Sequence, residues 1–148
     1  MKKLIIFDWG RTLFDNESNA LFPETKSLLA YLAPKHVLAI VSLAPDGDFE
    51  RRWRVIRGEG IEPHFGSILF TATDKNALYP MTLAKLGMAT HETTIVDDRM
   101  VRGIAWGNRN GATTIWFQNG KFAHELPNEI TGTPTHTIHA LDELYSFL

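Results

Sequence analysis

The chain of 148 residues contains no cysteine. That removes disulfides, thiolate metal sites and cysteine nucleophiles from consideration, and it agrees with a reducing compartment. An excess of either charge is also missing: 15 basic against 17 acidic residues leave a formal net charge of -2, which gives no steer toward nucleic acid or a membrane surface. Long apolar runs are absent. After Lys2 and Lys3 only Leu4, Ile5, Ile6 and Phe7 precede Asp8, too short a run for a signal-peptide core or a membrane span, so a cytoplasmic protein with no membrane partner is expected. No internal repeat, low-complexity tract or linker divides the chain. Its hydrophobic fraction of 44% and charged fraction of 22% are those of an ordinary globular protein, and residues 1–148 are expected to form one domain.

What is present alternates. Lys3 to Phe7 reads as a strand buried on both faces, and Val37 to Val41 repeats the pattern. Between them Pro23 opens a helix whose Leu28, Leu29 and Leu32 share one face before Pro34. Asp46 or Asp48 caps a second helix carrying Phe49, Trp53 and Ile56 at helical spacing and stopped by Gly58 and Gly60. Strands are expected at Ser67 to Phe70, Thr93 to Val96 and Thr113 to Phe117, with helices from Ala77 to Leu86, where Pro80 either kinks the helix or moves its start, and from Met100 to a stop near Gly107. An extended piece around Thr137 and Ile138 and a short helix from Leu141 close the chain. Such alternation predicts an α/β three-layer sandwich, with a mainly parallel Rossmann-like sheet of five or slightly more strands.

In an open parallel sheet, ligands sit outside the carboxyl ends of the strands. Here those ends carry Asp8, Trp9, Gly10, Arg11 and Thr12 after the first strand, Ser42 after the second, Thr71, Thr73, Asp74 and Lys75 after the third, and Asp97 and Asp98 after the fourth. Carboxylates, a hydroxyl and a lysine therefore converge on one rim, which suits phosphoryl transfer. A carboxylate such as Asp8 can attack phosphorus once a cation bridges the two anions. Asp97 and Asp98 offer hard oxygen ligands for Mg²⁺, while Lys75 and the Ser42 hydroxyl can hold phosphate oxygens. Taken singly, each residue is as readily a cap, a turn or a solvated charge.

The order Leu4-Ile5-Ile6-Phe7-Asp8, Val41-Ser42, Lys75, Ile95-Val96-Asp97-Asp98 resembles the four motifs of the haloacid dehalogenase superfamily. Gly111 to Ile115 and Thr137 to Leu144 resemble that family's fifth strand and its closing strand and helix. The resemblance implies Asp8 as nucleophile, Ser42 and Lys75 on the phosphate, and Mg²⁺ held by Asp8, the Gly10 carbonyl and Asp98, with Asp97 beside it. It further implies a mobile flap after the first strand. Neither place where the family inserts a cap domain leaves room for one, so a capless site is expected, open to a phosphorylated substrate that extends to macromolecules, with nucleic acid not excluded.

Three residues depart from the family pattern. Gly10 stands where family phosphatases carry a second Asp as general acid and base, a group that typically contributes about 10²- to 10⁴-fold. Gly103 stands roughly where many relatives have a further acidic residue. Arg11 replaces a usual Gly, and is expected either to recruit phosphate or to pair with Asp8 or Asp98 and occupy the metal's place. The expected activity is thus a slow, leaving-group-limited Mg²⁺ phosphohydrolase, and the alternative is a non-catalytic phosphate-binding domain. Haloacid dehalogenases and phosphonoacetaldehyde hydrolases also lack the second Asp, but they rely on cap residues.

Other signals are read as structural. Arg51, Arg52, Arg54 and Arg57 are taken as a solvated face balanced by Glu50 and Glu59. Of Arg99, Arg102 and Arg109, at least one can face the site. Trp106 and Trp116 are taken as core aromatics, Trp9 as pocket or core, and the six histidines show no zinc-ligand spacing.

Overall fold

The computed structural model describes residues 2–148. Its strands are β1 (Leu4–Phe7), β2 (Phe14–Asp15), β3 (Ala20–Leu21), β4 (Val37–Leu43), β5 (Phe65–Thr71), β6 (Thr93–Asp97), β7 (Thr113–Phe117) and β8 (His136–Ile138). Six of them form one sheet in the order β5-β4-β1-β6-β7-β8, and every pairing in it is parallel. The sixth strand is β8, the extended piece around Thr137. The other two strands, β2 and β3, pair antiparallel as a separate small hairpin after β1.

Strand side chains alternate between faces, and both faces of this sheet are covered. Ile5, Phe7, Leu38, Ile40 and Val96 face Leu28, Leu29 and Leu32 of α1 (Thr25–Leu32) and Ile56 of α2 (Phe49–Gly58). Leu4, Ile6, Ala39, Val41 and Ile95 face Tyr79 of α3 (Leu78–Leu86) and Trp106 of α4 (Ala105–Asn110). This is why β1 is apolar at every position rather than at alternate ones. The three leucines of α1 are completely buried, each stabilising the fold by about 1.5–3 kcal/mol.

Element boundaries follow local chemistry. Asp48 caps α2 by accepting from the Arg51 N–H at 3.0 Å. Pro80 lies in the first turn of α3, where its missing N–H costs no hydrogen bond, so it shifts the helix start and leaves a tight turn over Lys75–Ala77. Gly107 does not close the helix after β6. That segment begins as a wide π turn, Met100–Ile104, and continues as α4 to Gly111, which takes the left-handed conformation at φ 84°. Gly107 is required inside the helix because a Cβ there would stand 2.5 Å from Thr114 Cγ2.

The chain leaves β1 toward β4 and β5, then returns to β6 on the other side of β1. The order in which strands are added therefore reverses between β1 and β6, which remain parallel, and there Asp8 N–H donates to the Val96 carbonyl at 3.0 Å. Crevices of this kind bind ligands in open α/β sheets, and Asp8, Asp97 and Asp98 end the two strands that flank this one.

Candidate active site

Asp8 is nearly buried, with 8% of its surface exposed, and donors converge on it. Its Oδ1 accepts from Ser42 Oγ at 2.7 Å and from Lys75 Nζ at 3.3 Å. Thr12 Oγ1 lies 3.5 Å from both Asp8 Oδ2 and Asp98 Oδ1, so the hydroxyl sits between the two carboxylates. Burial pushes the Asp8 carboxyl up, but Lys75, the Ser42 hydroxyl, Asp98 and the Trp9 N–H together outweigh it and hold Asp8 below its ordinary value. Asp8 is an anion at neutral pH.

Lys75 is buried rather than solvated. Its ammonium reaches Asp97 Oδ2 at 2.8 Å as well as Asp8, and these two carboxylates raise its pKa well above the ordinary lysine value despite the opposing effect of burial. Beneath it Tyr79 stacks on Trp106 with ring centroids 4.6 Å apart. Burial, more than any charge, raises the Tyr79 pKa, so the phenol stays protonated.

Asp97 and Asp98 divide their tasks. Asp97 is completely buried and already satisfied: besides Lys75, it accepts from Gly103 N at 2.9 Å and from Arg99 N at 3.0 Å. Asp98 instead lines the cleft with Asp8, and its carbonyl accepts from Trp116 Nε1 at 2.9 Å. Burial, followed by the charges of Asp8 and Asp97, pushes the Asp98 carboxyl up to about 10; burial also raises Asp97. Among the described residues, Asp8, Asp97 and Asp98 form the group of acidic side chains whose oxygens come within 4.8 Å of one another. Three buried carboxylates against one lysine leave surplus negative charge around hard oxygen ligands, which fits a divalent cation such as Mg²⁺.

The departures from the family pattern have structural reasons. At Gly103 a Cβ would collide with Asp97 Oδ2 and stand 2.7 Å from the Tyr79 hydroxyl, so the space of an acidic side chain is filled by the Lys75 support. At Gly10 a Cβ would lie 3.3 Å from Asn16 Oδ1, which places Asn16 of the hairpin where the second Asp would be. Asp15 is absent from the cleft lining; its carboxylate instead accepts from the Glu17 N–H at 3.0 Å. Arg11 makes no ion pair with Asp8 or Asp98 among the described residues; its guanidinium lies 5.3 Å from the centroid of Phe122. The Asp8, Asp97 and Asp98 cluster is therefore clear of it.

The cleft over Asp8 has a volume of about 520 Å³. Trp9 is both core and pocket: it is 3% exposed, stacks on Phe14 at 5.5 Å and forms part of the lining. Arg99 and Arg102 also face the cleft, whereas Arg109 does not. Arg51 and Arg52 line it too, held by Asp46 at 2.7 and 2.8 Å rather than by Glu50 or Glu59. Lys121 and Phe122 were not expected at the site. They follow β7, and the strand-end rule that found the other positions applies equally to Gln118-Asn119-Gly120-Lys121-Phe122.

Residues 75–144 match the family model described as HAD-hydrolase-like. No curated protein matches the chain. Among solved structures, a HAD-hydrolase from Bacillus subtilis, described as bound to magnesium, is 15% identical with a TM-score of 0.82, over 99% of this chain and 98% of that one. A 2-haloacid dehalogenase from Pseudomonas syringae is 15% identical with a TM-score of 0.75, over 99% and 97% of the two chains. A HAD phosphatase from Thermococcus onnurineus is 20% identical with a TM-score of 0.69, over 86% of this chain and 58% of that one. Identities at this level speak to the fold, and the same fold carries both phosphatase and dehalogenase chemistry. Among the described residues no helix is long and apolar enough to cross a membrane.

Proposed function

We propose that this chain, whose residues 75–144 match the HAD-hydrolase-like family model and whose fold is shared by HAD-hydrolase structures, belongs to the haloacid dehalogenase superfamily and is a Mg²⁺-dependent phosphohydrolase acting through Asp8 on phosphate esters with good leaving groups. The observation that carries the proposal is the constellation at the β1/β6 crevice: an ionised Asp8 oriented by Ser42 and Lys75, with Asp98 beside it. Asp8, the Gly10 carbonyl and Asp98 would hold the cation, with Asp97 behind them. When bound, the cation neutralises phosphate charge so that a carboxylate can approach phosphorus.

Asp8 attacks phosphorus through a carboxylate oxygen as the ester P–O bond breaks. An aspartyl phosphate and an alkoxide or phenoxide result, and water then returns Asp8 and inorganic phosphate. Ser42 and Lys75, which donate to Asp8 in the free site, face the phosphate oxygens as they gain charge. Asp97 is a positioning residue: it fixes the Lys75 ammonium from below and takes no part in the cleft lining.

Leaving-group protonation is the weak link. Asp8 and Asp98 are the cleft's own carboxylates, and no histidine lines it. Aryl and acyl phosphates, which depart without a proton, are the substrates this lining serves. The hairpin of β2 and β3 is what the chain places between β1 and α1, in keeping with an uncapped site. A phosphate-binding domain without turnover is the second reading, favoured by Gly10 alone. The test is a phosphatase panel with and without Mg²⁺, run beside Asp8→Asn. Mg²⁺-dependent aryl phosphate hydrolysis lost in Asp8→Asn is expected, and undiminished turnover in that variant overturns the proposal.

A further inference from the structure

The rim of the cleft carries more positive charge than a single phosphate over Asp8 uses. Three of these cations have carboxylate partners: Arg51 and Arg52 have Asp46, and Arg99 has Glu125 at 2.9 Å. Among the described residues Arg11, Arg102 and Lys121 have none, although all three line the cleft. Arg102 lies on the Lys75 side, where it also borders a second hollow. Arg11 and Lys121 belong together, because the guanidinium of one and the ammonium of the other stand 5.3 and 5.4 Å from the centroid of the same Phe122 ring. Arg99 lies closer still to that ring, at 3.7 Å, and brings the one acid of the group, Glu125; three cations against one carboxylate still repel, and a further anion joining Arg11 and Lys121 relieves that repulsion.

The backbone adds an independent observation. Arg11 sits at φ 61°, a left-handed conformation that glycine takes freely and that costs other residues free energy. The surroundings hold it there: Asn119 Nδ2 donates to the Arg11 carbonyl at 3.1 Å, and the Arg11 N–H donates to the Phe14 carbonyl at 2.7 Å. A guanidinium kept where glycine would be cheaper points to a use for that guanidinium. Asn119 and Lys121 come from the same loop after β7, so that loop both pins Arg11 and supplies its cationic neighbour.

We infer that Arg11 and Lys121, gathered on Phe122, form a second anion subsite, and that the substrate is a small phosphate ester whose leaving group carries another anionic group, a carboxylate or a second phosphate. The inference rests on the proposed phosphohydrolase reading for the position of the first phosphate. A cleft of about 520 Å³ lies within the range of small-molecule sites, about 300–1,000 Å³. It therefore favours a metabolite-sized dianion over a polymer end. The anion also serves catalysis: with no acid to protonate the leaving group, holding the departing fragment by its other charge orients the breaking bond.

The test compares 4-carboxyphenyl phosphate with 4-carbamoylphenyl phosphate, near-isosteres that differ in charge, and adds 1,4-phenylene bisphosphate. With Mg²⁺ the protein is expected to prefer the carboxylate or bisphosphate over the neutral amide by about tenfold or more in kcat/KM, the size of a charged hydrogen-bonded contact. That ratio is expected to fall to about one in Arg11→Gly combined with Lys121→Ala, a pair that should fold because glycine accepts φ 61°. Whichever of the two charged esters wins identifies the second anion. A ratio near one in the unaltered protein, a ratio retained in the double variant, or faster turnover of a 5′-phosphorylated oligonucleotide than of any small ester overturns the subsite. If no ester turns over, calorimetric titration decides separately. Tighter binding of the charged esters, lost in the double variant, upholds the subsite while the hydrolase reading fails, and equal binding sinks the subsite.

Discussion

Replacing Asp98 by asparagine is expected to stabilise the metal-free protein and to remove its stabilisation by Mg²⁺. Asp98 is 2% exposed, and its carboxyl is pushed up to about 10, first by burial and then by Asp8 and Asp97. A carboxyl whose pKa is raised on folding contributes stability that is complete below its unfolded value, about 3.9, and is lost as pH rises toward the folded value. At pH 7 the gap is about 3 units, so holding Asp98 in place without a cation costs at most about 4 kcal/mol. Asparagine has the shape of the protonated acid and no such cost. Asp97 has the same sign of shift and remains in both proteins, while Asp8, shifted down, loses its contribution only at acid pH. Neither cancels the difference. Urea denaturation in EDTA between pH 5 and 9 should show the variant gaining on the parent with rising pH, by at most about 1.4 kcal/mol per unit. Saturating Mg²⁺ should then stabilise the parent, by about 2.7 kcal/mol at one hundred times Kd, and leave the variant unmoved. A gap that is flat with pH, or equal stabilisation of both proteins by Mg²⁺, would refute the reasoning.

Three further outcomes test other parts of the site. Gly10→Asp should raise kcat on alkyl phosphates by about 10²-fold by supplying the missing acid, more so with Asn16→Ala, because Asn16 Oδ1 stands 3.3 Å from the new Cβ; steady-state rates on a leaving-group series check this. Lys75→Met should abolish most turnover. It should also destabilise the metal-free protein by about 3–5 kcal/mol in denaturant titration, because Asp8 and Asp97 lose their buried counter-ion. Gly103→Ala should cost about 1–3 kcal/mol, since its methyl would press on both the Asp97 carboxylate and the Tyr79 hydroxyl; a thermal melt measures it.

The frame and the centre of the site were legible because their causes are local. Leu28, Leu29 and Leu32 announce one helix face, the unbroken Leu4–Phe7 run announces a strand covered on both sides, and the polar residues at strand ends mark the crevice. Long-range packing hid the rest. Gly107 reads as a helix stop, yet it is the close approach to Thr114 that demands glycine. Asp97 and Asp98 are chemically identical in the sequence, and only the positions of Gly103 N and Lys75 Nζ separate a support from a cleft carboxylate. Arg51 and Arg52 pair with Asp46, which precedes their helix, rather than with acids on it. The β2/β3 hairpin has two-residue strands with no periodicity to read.

The central claim is that Asp8 is a nucleophile served by a cation. It is tested most directly by the initial rate of 4-nitrophenyl phosphate hydrolysis in the unaltered protein and in Asp8→Asn, each with Mg²⁺ and with EDTA. Expected is turnover in the unaltered protein with Mg²⁺, abolished by EDTA and lowered by about 10³-fold or more in Asp8→Asn. Equal rates in the two proteins, or a rate indifferent to EDTA, would contradict it.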